Sequence, residues 1–265
     1  MNTAHIRALV VAAASVLCIT ISRPAGATLP GDGYYNLNYA ASPAGEIVSV
    51  NTGVTSEMTC FLSRVAGNLT GPASAQAVVS LQDGNWWVSY GNSYEGSVEV
   101  SIACVWGNTN ILYAGFNGTG TEVIAGTDSS SQCFLQGIYT TDDDSFSATD
   151  AEADVSKTGS GGWELQTYNL AWDPSEDAGT YTKAICVDVP GVSWFEENNW
   201  TGDYTVTAFE QTTSDPEVCG LRGIAGEFEG TGDSVGVYGP SALPGYWELE
   251  TTGGEVDRGW ITCLQ

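Results

Sequence analysis

Three times, in the same order, this chain sets down a cysteine with a leucine two residues on, a Gly-x-Trp-x-(Val/Leu) element, and a second cysteine inside an apolar triplet. The opening phrases are "CFLSRV" from Cys60, "CFLQGI" from Cys133 and "CGLRGI" from Cys219. The central elements are "GNWWV" at 84–88, "GGWEL" at 161–165 and "GYWEL" at 245–249, and the closing ones are "ACV", "ICV" and "TCL" around Cys104, Cys186 and Cys263. Opening cysteine and central tryptophan lie 26, 30 and 28 residues apart, and the length changes fall in polar stretches. A fold for this chain must therefore be built from three units of one kind.

The composition of each unit predicts strands. "AVVSLQ", "WWVSY" and "VEVSIACV" are rich in β-branched and aromatic residues, and Gly, Asn and Asp separate them. In Gly-x-Trp-x-(Val/Leu) the tryptophan and the aliphatic residue are two apart and share a face, while Trp87, Glu164 and Glu248 point the other way. The opening phrase breaks this period, because Leu62 and Val65 fall on opposite parities; one extra residue, a bulge expected at Arg64, restores them to one face. Further β-like stretches, "EIVSV" at 46–50, "EVIAG" at 122–126 and "YTVTAF" at 204–209, precede the cysteines. The expected fold is all-β: three tandem antiparallel units of about five strands, packed together around a pseudo-threefold or in a row.

With Cys18 set aside in the apolar N-terminal run, six of the seven cysteines remain and can pair in 15 ways. The most economical pairing is internal to each unit, Cys60–Cys104, Cys133–Cys186 and Cys219–Cys263. A unit of roughly 75 residues has a core of marginal size, so a cystine has a clear structural purpose. No C-x-x-C pair is present to suggest redox work.

Residues 1–27 read as a secretory signal: a short basic start, the apolar run "ALVVAAASVLCITI", and small residues at Ala25 and Ala27 before a cleavage site. The run is shorter than the ~20 residues of a membrane span. The remaining boundaries are 28–116, 117–201 and 202–265 for units one to three. The protein is thus expected to be secreted, extracellular or at the cell surface, with no membrane span.

Charge and histidine exclude more. The chain has 32 acids against 7 bases, a formal net charge of −25. Such a surface repels nucleic acid. The one histidine, His5, belongs to the signal, so the mature chain has no imidazole for a Ser-His-Asp or Cys-His mechanism or a zinc site. No catalytic residue, metal site or cofactor is expected. Carboxylate pairs such as Glu248 with Glu250, or Glu196 with Glu197, follow from acid content alone. The acidic stretch 141–154, with Asp142 to Asp144, lacks the glycine and spacing of an EF-hand and reads as a surface loop.

The candidate ligand site is "VSWFEENNW", 192–200, read as a polar loop carrying Trp194, Phe195, Asn198, Asn199 and Trp200. Flat rings beside amide groups are what a sugar-binding groove uses.

The pattern of Cys-x-Leu, Gly-x-Trp-x-Leu and closing cysteine over residues 59–264 resembles a disulfide-bonded β repeat of secreted and surface proteins of bacteria, myxobacteria among them. The resemblance implies an extracellular repeat module and assigns no functional residue. The expected function is that of a non-catalytic structural or adhesive surface protein, with carbohydrate, other surface proteins or further copies of itself as partners. A carbohydrate-binding module is the alternative reading, and a carboxylate-based glycoside hydrolase a more distant one.

Overall fold

The computed structural model describes residues 34–71, 74–106, 112–117, 120–140, 146, 151–168, 180–188, 194–199, 205–210, 218–230, 232–239, 246–253 and 258–264, all within the unit Gly31–Gln265. The segment read as a signal lies outside them. Regular structure among the described residues is strand throughout, in three antiparallel sheets. No described helix is long and apolar enough to cross a membrane.

The eighteen strands among the described residues fall into three runs of six. The first run is β1 (Tyr34–Tyr39), β2 (Ile47–Thr55), β3 (Met58–Gly67), β4 (Ala75–Gln82), β5 (Asn85–Asn92) and β6 (Val98–Trp106). The second is β7 (Leu112–Asn117), β8 (Gly120–Ile124), β9 (Ser131–Thr140), β10 (Glu152–Lys157), β11 (Trp163–Tyr168) and β12 (Thr180–Asp188). The third is β13 (Trp194–Asn199), β14 (Thr205–Glu210), β15 (Val218–Ala225), β16 (Ser234–Tyr238), β17 (Tyr246–Thr252) and β18 (Arg258–Leu264).

Each run divides its strands between two sheets. Sheet I has the order β1-β6-β3-β16-β17-β14, sheet II β2-β5-β4-β9-β12-β7, and sheet III β13-β18-β15-β10-β11-β8. Every sheet therefore joins three strands of one run to three of another, and the joins pass from first to second, second to third and third back to first. This is cyclic closure, not a row.

The cystines sit at matching places. Cys60 faces Cys104 across β3 and β6, Cys133 faces Cys186 across β9 and β12, and Cys219 faces Cys263 across β15 and β18. The central tryptophans Trp86, Trp163 and Trp247 are buried, and their outward neighbours Trp87, Glu164 and Glu248 are partly exposed. The Trp86 Nε1–H donates to the Met58 carbonyl and the Trp163 Nε1–H to the Ser131 carbonyl, both at 2.8 Å. Each indole thereby buries on the order of 200 Å², about 5 kcal/mol at ~25 cal/mol per Å², without leaving its donor unpaired.

All three opening strands are bulged. The residue left out of the ladder is Ser63 in β3, Gln136 in β9 and Arg222 in β15. The bulge brings Leu62 and Val65 to one buried face, as the parity argument requires, but the extra residue is Ser63, one position before Arg64. A bulge takes its extra residue where the strand must bend, and Arg64 instead keeps a partner, Ser101.

The opening strands also meet one another, since β3, β9 and β15 each pack against the other two. There Phe61 and Phe134, each following its unit's first cysteine, stack with centroids 3.9 Å apart and planes within 7°. The third copy has Gly220 at this position, and a Cβ there would collide with the Phe61 ring and lie 3.0 Å from Phe134. The junction holds two rings and has no room for a third side chain.

Other expectations are revised by pairing. Each run has six strands rather than five, because β1, β7 and β13 lie beside the closing-cysteine strands β6, β12 and β18. Strands β7 and β13 thus pair within the second and third runs, one strand ahead of boundaries drawn at 117 and 202. The acidic stretch 141–154 is not all surface loop: Phe146 is buried edge-on to Phe228 at 5.7 Å, and residues 152–154 enter β10.

Candidate functional site

The aromatic stretch singled out as a loop is a strand over most of its length. Residues 194–199 form β13, an edge of sheet III, paired with β18 from Trp194 opposite Leu264 to Asn199 opposite Gly259. This strand has no alternation to betray it, since glutamates and asparagines fill four of its six positions. The side chains of Trp194, Phe195, Asn198 and Asn199, and all of Trp200, lie outside the described residues. So do Asp142 to Asp144, while Glu196 and Glu197 are consecutive residues of β13. Among the described residues no group of three or more His, Cys, Asp or Glu is placed to hold a metal ion.

Glu248 and Glu250 are two apart on β17, opposite Tyr238 and Gly236 of β16. They stand on the outward face of sheet I, where Arg64 bonds Glu99 at 2.7 Å. Burial raises the Tyr238 phenol above its ordinary range, and Arg64 partly opposes this. The row is an ordinary charged sheet face, with its one cation committed to Glu99 on the neighbouring strand.

A second charged group is more deeply placed. Arg222, the bulge residue of β15, lies with its Nε 3.3 Å from Asp154 Oδ1 of β10, and both side chains are nearly inaccessible. Burial raises the pKa of the nearby Glu152, and Arg258 and Arg222 pull it back. The opposite charges of Arg222 and Asp154 offset each other, which explains how a bulge residue can be both charged and buried.

A cleft of the described surface lies where sheets II and III end beside each other. Strand β7 is the edge of sheet II and β8 the edge of sheet III. Between them is a cleft of about 280 Å³ floored by Ala114, Ile124 and Leu165 and rimmed by Tyr113, Gly115, Glu122 and Val123. Tyr113 is 51% exposed and Val123 66%, both unusual for residues of their size. The arrangement offers an aromatic ring, an apolar floor and one carboxylate, which suits stacking and hydrogen bonding.

Sequence reasoning passed over Tyr113 because repetition was its guide. The residue one past the cystine partner is Tyr113 in β7, but Asn36 in β1 and Glu196 in β13. A feature present in one copy of three leaves no repeated signal.

No family model matches this chain, and no curated protein matches it either.

Proposed function

We propose that this protein is a secreted, non-catalytic structural or adhesive component of the bacterial cell surface. The observation that carries the reading is the combination of cyclic sheet sharing with one cystine in every run. A body in which each run is stapled internally and also supplies strands to two sheets resists local opening, and durability of this kind suits exposure outside the cell. The absence of histidine beyond residue 5 supports the non-catalytic part, because the commonest hydrolase mechanisms need an imidazole. The open edges of the sheets, with Tyr113 and Val123 exposed between two of them, supply contact surface.

Carbohydrate is the favoured second reading for the contact, since Tyr113 stands half-exposed in a concave site. The test joins location to activity. In the producing bacterium, protease added to intact cells should remove the protein from the surface, or the protein should be recovered from the medium. The purified protein should release no reducing sugar from a panel of polysaccharides. Recovery from the cytoplasm alone would overturn secretion, and glycan cleavage abolished by Glu248→Gln or Glu250→Gln would overturn the non-catalytic assignment.

A further inference from the structure

The acids of this chain avoid one sheet. Sheet I carries Glu99, Glu210, Glu248 and Glu250 on its strands, and sheet III carries Glu122, Glu152, Asp154, Glu164, Glu196 and Glu197. The six strands of sheet II hold a single carboxylate, Asp188, at the last position of β12, and a single cation, Lys183. In a protein with 32 acids these strands form a wide surface poor in carboxylates, with Lys183 its one cation and Glu46, Glu57 and Asp83 confined to the flanking turns.

Its outward face is polar and aromatic. Cross-strand register places Asn51, Trp87 and Ser80 in one row, and Gln76, Tyr139 and Tyr181 in another. Between these rows Ser49 and Ser89 share a 2.6 Å hydrogen bond. Tyr139 Oη is held 3.1 Å from Ser74 Oγ. Tyr181 lies across Gly115, where any side chain would strike its hydroxyl, and the Lys183 ammonium stands 5.5 Å from its ring centroid. Gly115 thus lets the ring lie low on the sheet. By strand spacing and rise, Trp87 and Tyr139 are about 16 Å apart. The cleft lined by Tyr113 and Gly115 borders β7, the edge strand of this sheet.

We propose that the outward face of sheet II is a binding platform for an uncharged polysaccharide. The proposal deepens the adhesive reading and rests on it for its biological setting. Charge selects the ligand: polyanions are repelled by the chain as a whole, and cationic partners are drawn to the carboxylates of sheets I and III, leaving this face for a neutral one. Chemistry selects it again. Partly exposed rings such as Trp87, Tyr139 and Tyr181 stack on the apolar faces of sugars, and Ser, Asn and Gln side chains pair with their hydroxyls. A protein partner needs a broad apolar, fully desolvated centre, and the middle row of this face runs Ser49, Ser89, Val78, Gly137, Lys183 and Gly115, with Val78 its one apolar side chain and already nearly covered.

The experiment is retention of the purified secreted protein on swollen cellulose, chitin and immobilised dextran, with polygalacturonate as the anionic counterpart, at low and high salt. At least one neutral polymer should retain it independently of salt, and polygalacturonate should not. Tyr139→Ala and Trp87→Ala should each weaken retention about tenfold. Ser80→Glu, a substitution at a half-exposed position that leaves the core intact, should weaken it too, while Tyr168→Ala on sheet III should not. Failure of every neutral polymer to retain the protein would overturn the platform, as would retention indifferent to all three substitutions. Concentration-dependent assembly lost in Ser80→Glu would assign the face to a second copy instead. None of these failures alters surface location, which the protease test reads separately.

Discussion

Phe61, Phe134 and Gly220 occupy one position in three copies, and the single departure is explained by space rather than chemistry. Two phenyl rings stack where β3, β9 and β15 meet, and the third strand closes on them only because it brings no side chain. Gly220→Ala should therefore lower stability by about 1–3 kcal/mol, the usual cost of overpacking a rigid core. Adding Phe61→Ala to that variant should return part of the loss, although Phe61→Ala alone should cost about 3–5 kcal/mol. Guanidinium melts of the two single variants and the double one measure the coupling. Additive losses would show that Gly220 is small for another reason.

At the level of strands, legibility followed repetition and period. The core strands were readable because tryptophan and aliphatic residues alternate in them, and the internal cystine pairs because each unit begins and ends with a cysteine. Parity demanded a bulge in the opening strand, but the ladder alone reveals that Ser63 is the residue left out. The edge strands β1, β7 and β13 were missed, because a strand hydrogen-bonded on one side and open on the other has no need of strict alternation. The candidate site was missed for a related reason: Tyr113 lies on such an edge, and a neutral sheet face becomes visible only when strands from two runs are assembled. The cystines permit a quantitative check at this scale. Replacing Cys133 and Cys186 together by Ala opens a covalent loop with a separation of 53 residues, which loop-closure entropy values at about 4 kcal/mol. Far-UV circular dichroism should be unchanged, since β9 and β12 keep their ladder, while the denaturation midpoint should fall accordingly. A loss below ~1 kcal/mol would mean that residual structure already confines the unfolded chain without the cystine.

For the molecule as a whole, sheet sharing makes folding collective. No run can complete a sheet without strands from another, so heating the intact protein should give one calorimetric transition with matching calorimetric and van't Hoff enthalpies. A chain ending at residue 193 would leave β3 without β16 and β10 without β15, and it should fail to give a cooperative transition. Independent melting of three units would contradict the cyclic pairing. A stack of repeats can gain or lose a copy and stay intact, because each addition meets the same neighbour as the last. Here the last run must also fit the first, so copy number is fixed by closure. The same closure makes the three junction positions interdependent: where they converge, two can carry a ring only because the third carries no side chain.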